Sequence, residues 1–168
     1  MYRIGALTLF IFTVIAGLIQ MTAFDYIGFF GIKPDLLLIT VVFFSLSCTR
    51  NISIKSALIA GFIKDITSSA TLGNYALSFL LAALLLNYYQ RRIYREAAHT
   101  QVMVNFLSYL LMSAVVIMLN LVSSETHFSY YPYLGVVFKG ALYTGLVSPL
   151  VFFIYSRVLR IHLAPTFF

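Results

Sequence analysis

The sequence predicts an all-α integral membrane protein with six transmembrane helices. Hydrophobic residues make up 61% of the 168-residue chain and charged residues only 10%, whereas about a quarter of a soluble domain is charged. The apolar runs are long and lack alternating polar positions, so they indicate helices and not the strands of a membrane barrel. We therefore predict a single polytopic membrane domain over residues 1–168.

Six apolar runs can form membrane helices, which need about 20 residues, or fewer where protein shelters them. We predict spans at residues 4–23, 34–48, 56–69, 74–89, 101–122 and 134–159. The first run is longer than the apolar part of a signal peptide and no convincing cleavage site follows it, so it is kept as a span. The polar segment TSSATLGN, which contains Gly73, separates the third and fourth spans.

The basic residues predict the orientation of these spans. With six spans, one side of the membrane receives Arg3, Arg50, Lys55, Arg91, Arg92, Arg95, Arg157 and Arg160. The opposite side receives Asp25, Lys33 and Glu125. The positive-inside rule then places both termini in the cytoplasm. Because the basic residues lie at helix ends, the net charge of +6 fits a membrane better than a nucleic-acid partner.

The third span contains an intramembrane charge. Lys64 and Asp65 are neighbours, so on a helix they point about 100° apart and cannot simply neutralise each other. Asp65 shares a face with Ala57 and Gly61, a small-residue pair that lets another helix approach closely. Asp65 should therefore face the protein interior, either as a functional group or as part of a buried ion pair or helix-terminus contact that fixes the fold.

The second and third spans are too short to cross alone, so their outer ends must be buried in protein or line a polar cavity. Lys139 in the sixth span lies at a depth similar to that of Asp65, and it either pairs with Asp65 or extends to the outer interface. Asn105 and Asn120 in the fifth span suit interhelical hydrogen bonds or a ligand. The small residues expected to pack the sixth span are Gly140, Thr144 and Ser148.

Catalysis and cofactor binding are not predicted. The sequence has no phosphate-binding loop, zinc-protease motif or hydrolase nucleophile motif. One cysteine and the scattered His99, His127 and His162 make no metal set, so we expect no metal or cofactor. Asp35 and Asp65 can meet near the outer face, as in an intramembrane aspartic protease, but the motifs of the lipoprotein signal peptidases are missing.

Two segments stand out: GIKPDLLL at 31–38 and GFIKDITSSATLGNYAL at 61–77. Both resemble the MreD family of bacterial rod shape-determining proteins. In the first, Pro34 suits the first helical position and Asp35 suits the positive end of the helix dipole. The chain length, span number and topology are also similar to the family. The positions that carry the resemblance are Gly31, Lys33, Pro34, Asp35, Gly61, Asp65, Leu72, Gly73 and Asn74. Lys64 departs from the family, where an apolar residue is more usual.

The resemblance implies a non-enzymatic membrane scaffold of the cell-elongation machinery in the bacterial inner membrane. Its implied partners are the single-pass periplasmic protein MreC, a class B penicillin-binding transpeptidase, a SEDS-family glycan polymerase and MreB filaments. Through them it would help control rod shape and peptidoglycan synthesis. The fold is also similar to the substrate-binding subunits of energy-coupling-factor vitamin transporters, which supplies an alternative function. Against that alternative, the first span lacks the A-x-x-x-A step that such subunits use for docking.

Overall fold

The computed structural model describes residues 6–22, 33–68, 72–90, 93, 97–122 and 130–159, and these contain six helices. The helices are α1 Ala6–Thr22, α2 Leu36–Ser47, α3 Arg50–Thr67, α4 Asn74–Tyr89, α5 Ala98–Val122 and α6 Tyr130–Val158. The predicted all-helical fold class is confirmed. Gly31 and the arginines at 91, 92 and 95 lie outside the described residues.

Helix α2 forms the centre of the bundle. All 12 of its residues are buried, and it contacts each of the other five helices. Its sequence LLLITVVFFSLS is apolar around nearly the whole circumference, which is typical of a helix enclosed by protein. At about 1.5 Å per residue it is roughly 18 Å long, much less than a hydrocarbon core of about 30 Å.

The other five helices surround α2 in the order α1, α3, α4, α5, α6, each in contact with the next. Between α6 and α1, Phe12 and Tyr155 make an edge-to-face ring contact with centroids 5.6 Å apart. Tyr155 also packs edge-to-face on Phe43 of α2 at 5.4 Å. Its hydroxyl lies 2.9 Å from the Thr40 hydroxyl, which joins α6 to the central helix by a polar contact as well.

Among the described residues, two helical segments are long and apolar enough to cross a membrane by length and composition: Ala98–Val122 and Leu134–Val158. Three shorter apolar segments are Thr8–Thr22, Leu36–Ser47 and Asn74–Tyr89. Large apolar side chains cover the outside of the ring, among them Phe10, Leu81, Leu107, Leu150 and Phe153. An outside of this kind suits contact with lipid.

Helix α3 begins at Arg50 and not at the predicted residue 56. Arg50 and Lys55, which were assigned to a connection, are therefore exposed helical residues. The buried face of the first turns carries Ser53 and Ser56, and these serines lower the apolar content that marks a membrane helix. The first turns of α3 therefore do have an interior face, but small polar residues form it.

Helix α2 begins at Leu36, with Asp35 as its N-cap in an extended backbone conformation. Pro34 therefore precedes the cap and is not the first helical residue. The cap residue keeps non-helical dihedral angles so that its side chain can accept a hydrogen bond from the first turn. A short Asp side chain serves that geometry directly, which explains why the helix starts after Asp35.

Candidate functional site

The two family-like segments meet at one end of the bundle, in a group of residues that we call the motif cluster: Asp35, Lys64, Asp65, Gly73 and Thr144. Asp35 links three helices there. Its Oδ1 accepts a hydrogen bond from the N–H of Leu38 at 3.2 Å, and its Oδ2 forms an ion pair with the Lys64 ammonium of α3. Its own N–H donates to the Thr144 hydroxyl of α6 at 3.1 Å.

The ion pair lies mostly out of contact with solvent, with the Asp35 side chain 2% exposed and that of Lys64 17% exposed. The Lys64 ammonium is also 5.4 Å from the ring centroid of Tyr75 on α4, within the range of a cation–π interaction. A buried charge needs its partner because desolvation is costly. Lys64, the residue that departs from the family, thus neutralises a carboxylate of the first segment.

Asp65 caps the N-terminus of α4 from the neighbouring helix. Its Oδ1 accepts from the N–H of Tyr75 at 2.9 Å, and its Oδ2 accepts from Gly73 at 3.0 Å and Ala76 at 3.2 Å. The α4 cap residue, Gly73, has φ +101° and no side chain to provide a cap of its own. A carboxylate at this position is also favoured by the positive end of the helix dipole.

Gly61 explains how Asp65 reaches that position. A Cβ added at Gly61 would lie 2.8 Å from the backbone nitrogen of Ala76, a distance at which one of the two helices must shift. Only glycine therefore allows α3 and α4 to approach this closely, and the next turn of α3 brings Asp65 against the α4 N-terminus. The glycine and the aspartate of the second segment act as one helix-joining unit.

The four residues predicted to line a polar cavity, Asp65, Lys139, Asn105 and Asn120, do not all come together. Asn120 accepts a hydrogen bond from the Asn74 amide at 2.7 Å, whereas Asn105 lies 15 residues earlier on α5, about 22 Å along the helix. The Asn105 amide donates to the Gln101 carbonyl in its own helix. Lys139 is exposed on α6. Of the two alternatives for Lys139, a pair with Asp65 is contradicted, because the Asp65 oxygens accept from the α4 backbone and its cap instead.

The small residues of α6 serve different contacts. Gly140 lies against the ring of Tyr109 on α5, where an added Cβ would be 2.9 Å from Cζ. Thr144 contacts α2 through Asp35, and the Ser148 hydroxyl donates to the Gly145 carbonyl in its own helix. Ala57 on α3 is fully buried. These residues all face the interior, but they do not form a single seam.

Sequence reasoning missed the two glutamines that complete the ends of α2. Gln20 of α1 accepts a hydrogen bond from the N–H of Leu37 at 3.0 Å. At the other end, the Gln90 amide donates to the carbonyls of Leu46 at 2.9 Å and Cys48 at 3.2 Å. The signal was an isolated amide side chain at the edge of an apolar run. Helix ends leave unpaired backbone groups, and a short buried helix needs side chains to satisfy them.

A second polar layer lies toward the C-terminal end of α2. The hydroxyls of Ser45 and Ser53 are 2.6 Å apart, and the Asn87 amide donates to Ser53 at 2.8 Å. This layer joins α2, α3 and α4 through hydrogen bonds between uncharged groups. Within the part of the chain that the structure describes, no group of three His, Cys, Asp or Glu side chains is placed to hold a metal ion.

Comparisons with known proteins give one result. The family model described as rod shape-determining protein MreD matches residues 1–164. Searches of curated proteins and of solved structures gave no match. The MreD family is membrane-associated and functions in rod shape determination. Since the match covers nearly the whole chain, this protein belongs to the MreD family of rod shape-determining proteins.

Proposed function

We propose that this chain is a six-span, non-enzymatic membrane scaffold of the cell-elongation machinery. It forms one domain over residues 1–168 in the bacterial inner membrane, with both termini in the cytoplasm. It binds an MreC-type single-pass periplasmic protein and links it to a class B penicillin-binding transpeptidase, a SEDS-family glycan polymerase and MreB filaments. In this way it helps control rod shape and peptidoglycan synthesis.

This proposal rests on the contacts that the carboxylates of Asp35 and Asp65 make inside the protein. Asp35 is occupied by Lys64 and the N–H of Leu38, and Asp65 is occupied by three N–H groups of α4 and its cap. A carboxylate that accepts several hydrogen bonds inside the protein is poorly placed to move protons or bind a solute. The motif cluster instead fixes α2, α3, α4 and α6 relative to one another, which a scaffold needs.

The sheltered position of α2 supports six spans. A helix of about 18 Å cannot cross a hydrocarbon core of about 30 Å by itself. Irregular backbone at membrane depth is tolerated where protein encloses it and satisfies its polar groups. At the two ends of α2, backbone groups are hydrogen-bonded by the side chains of Gln20, Asp35 and Gln90. The helix can therefore count as a span within the ring of the other five.

The alternative, a substrate-binding subunit of a vitamin transporter, needs a polar cavity that converges on a ligand. The candidates for that cavity were Asp65, Lys139, Asn105 and Asn120. Asn105 lies about 22 Å from Asn120 along α5, Lys139 is exposed, and Asp65 and Asn120 are already hydrogen-bonded at the start of α4. These observations favour the scaffold over the transporter subunit.

Cross-linking in native membranes tests the proposal. The full-length protein, tagged at its C-terminus, is cross-linked before extraction, purified and analysed by mass spectrometry beside an unrelated tagged polytopic membrane protein. The scaffold predicts specific recovery of the MreC-type protein and the elongation transpeptidase. Recovery of paired ATPase subunits with a coupling membrane protein would instead establish the transporter function and overturn the scaffold.

A further inference from the structure

The side of the bundle formed by α3 and α4 is short along the helix axes. Two polar contacts join these helices: Asp65 accepts from the N–H of Tyr75 at 2.9 Å, and the Asn87 amide donates to the Ser53 hydroxyl at 2.8 Å. In each helix the two contacts are 12 residues apart, which is about 18 Å. The exposed side chains between these contacts on α4 are Leu77, Leu81 and Leu85.

Basic and aromatic side chains mark one edge of this side. Arg50 and Lys55 of α3 are exposed, and Tyr88 and Tyr89 at the end of α4 have exposed fractions of 79% and 49%. Tyrosine rings and basic side chains with apolar stems gather at membrane–water interfaces. On α3, 12 residues separate Lys55 from the exposed Thr67 at the other end, again about 18 Å. Both helices therefore offer lipid an apolar belt about 18 Å high.

The opposite side of the bundle, formed by α5 and α6, is much taller. On α5 the exposed apolar side chains extend over 19 residues from Met103 to Val122, about 28 Å. On α6 the exposed charged residues Lys139 and Arg157 are 18 residues apart, about 27 Å. Both heights are close to a hydrocarbon core of about 30 Å. A long helix can tilt to fit a thinner bilayer, but tilting cannot increase the height of the belt on α3 and α4.

We propose that the α3–α4 side of this protein binds a locally thinned bilayer. Phospholipids with short or compressed acyl chains contact α3 and α4, whereas phospholipids of ordinary chain length contact α5 and α6. A protein whose apolar surface is shorter than the hydrocarbon core can thin the bilayer beside it. This inference goes beyond the scaffold function and rests only on its six-span arrangement, which places α3 and α4 in the membrane. It requires no protein partner.

Lipid fits this side better than a second copy of the chain. A two-fold contact centred on α3, with its axis along the membrane normal, would bring Arg50 and Lys55 near the same residues of the copy. Like charges that face each other across an interface are unfavourable. Beside lipid, the same two side chains can reach phosphate groups, and the exposed ring of Tyr88 lies among the head groups.

Tryptophan fluorescence tests the two sides separately, because the chain has no tryptophan of its own. Leu81→Trp reports on lipid at α4 and Leu107→Trp on lipid at α5, since both leucines are exposed. Each full-length variant is reconstituted in vesicles that contain a brominated phosphatidylcholine, which quenches tryptophan on contact. Dimyristoleoyl, dioleoyl or dierucoyl phosphatidylcholine then competes with the quencher, and the recovered fluorescence gives the relative binding constant of each chain length at each side.

We expect the short dimyristoleoyl chains to bind at Leu81→Trp at least about threefold more strongly than the long dierucoyl chains, and dioleoyl chains to bind best at Leu107→Trp. If Leu81→Trp reduces the melting temperature, Leu85→Trp on the same exposed face replaces it. The same chain-length preference at both sides would overturn the inference, and so would quenching at α5 without quenching at α4. Partner cross-linking in native membranes tests the scaffold independently, because its result does not depend on acyl-chain length.

Discussion

Lys64 of α3 and Asp35, the N-cap residue of α2, form an ion pair across 29 residues of sequence. The pair joins the two segments that resemble the MreD family. Lys64 also lies over the ring of Tyr75, so its charge is held by a carboxylate on one side and an aromatic face on the other. An apolar side chain at position 64 could not neutralise Asp35, and the stability of this chain should therefore depend on the lysine.

We expect Lys64→Met to lower the free energy of unfolding by about 3 kcal/mol, because it leaves a buried carboxylate without its cation. Unfolding can be followed in detergent with a thiol-reactive dye, since Cys48 is the single cysteine of the chain and is buried in the folded protein. The melting temperature should fall clearly below that of the wild type.

Lys55→Met is the matched control for this change. Lys55 belongs to the same helix but is exposed, so its replacement should leave the melting temperature nearly unchanged. The double variant Lys64→Met with Asp35→Asn should be less destabilised than the two single effects added, because residues in contact are not additive. Equal losses from Lys55→Met and Lys64→Met would contradict the importance of the pair.

Asp65→Asn should destabilise the protein by about 2 kcal/mol, because hydrogen bonds to a charged group are each worth about 1.5–3 kcal/mol and the amide retains one accepting oxygen. The loss should be local to the start of α4. Hydrogen exchange measured by mass spectrometry should accelerate at the N–H groups of Gly73, Tyr75 and Ala76. Thr67→Val, on an exposed residue near the same end of α3, should not alter this exchange. Unchanged protection in Asp65→Asn would show that the cap is not needed.

Gly61→Ala should be strongly destabilising and Gly135→Ala neutral or slightly stabilising, although the two substitutions are chemically identical. At Gly61 the new Cβ would meet the backbone of Ala76, whereas at Gly135 it would meet nothing within 4 Å. The gain in helix propensity at an open position is about 1 kcal/mol. Melting temperatures of the two variants in the same detergent provide the test, and equal shifts would refute the close approach of α3 to α4.

Much of the helix order was predictable from the sequence because apolar length and polar breaks mark membrane helices. The fourth helix, 74–89, has the predicted bounds, and the first and fifth differ by three residues or fewer at each end. The start of α3 was missed because Ser53 and Ser56 face the interior. Hydropathy measures apolar content and does not register small polar residues that pack between helices.

The partners of the charged residues could not be predicted in the same way. The helical period placed Asp65 on an interior face, but it says nothing about which backbone groups lie opposite. Those groups depend on the left-handed conformation at Gly73 and on the close approach at Gly61. One of the two alternatives for Lys139, a pair with Asp65, rested on similar depth alone, and depth does not fix the rotation of a helix or its neighbours.

The two glutamines at the ends of α2 allow one substitution to be compared in opposite environments. Gln20→Glu keeps the oxygen that accepts the N–H of Leu37 and puts negative charge at the positive end of the α2 dipole. Gln90→Glu removes the amide that donates to the carbonyls of Leu46 and Cys48, and puts negative charge at the negative end. A buried carbonyl that loses its hydrogen-bond donor costs about 1–3 kcal/mol of stability. We therefore expect Gln90→Glu to reduce the melting temperature, measured through dye access to Cys48, much more than Gln20→Glu. An equal or opposite order would mean that side chains of the surrounding helices do not stabilise the short central helix at its ends.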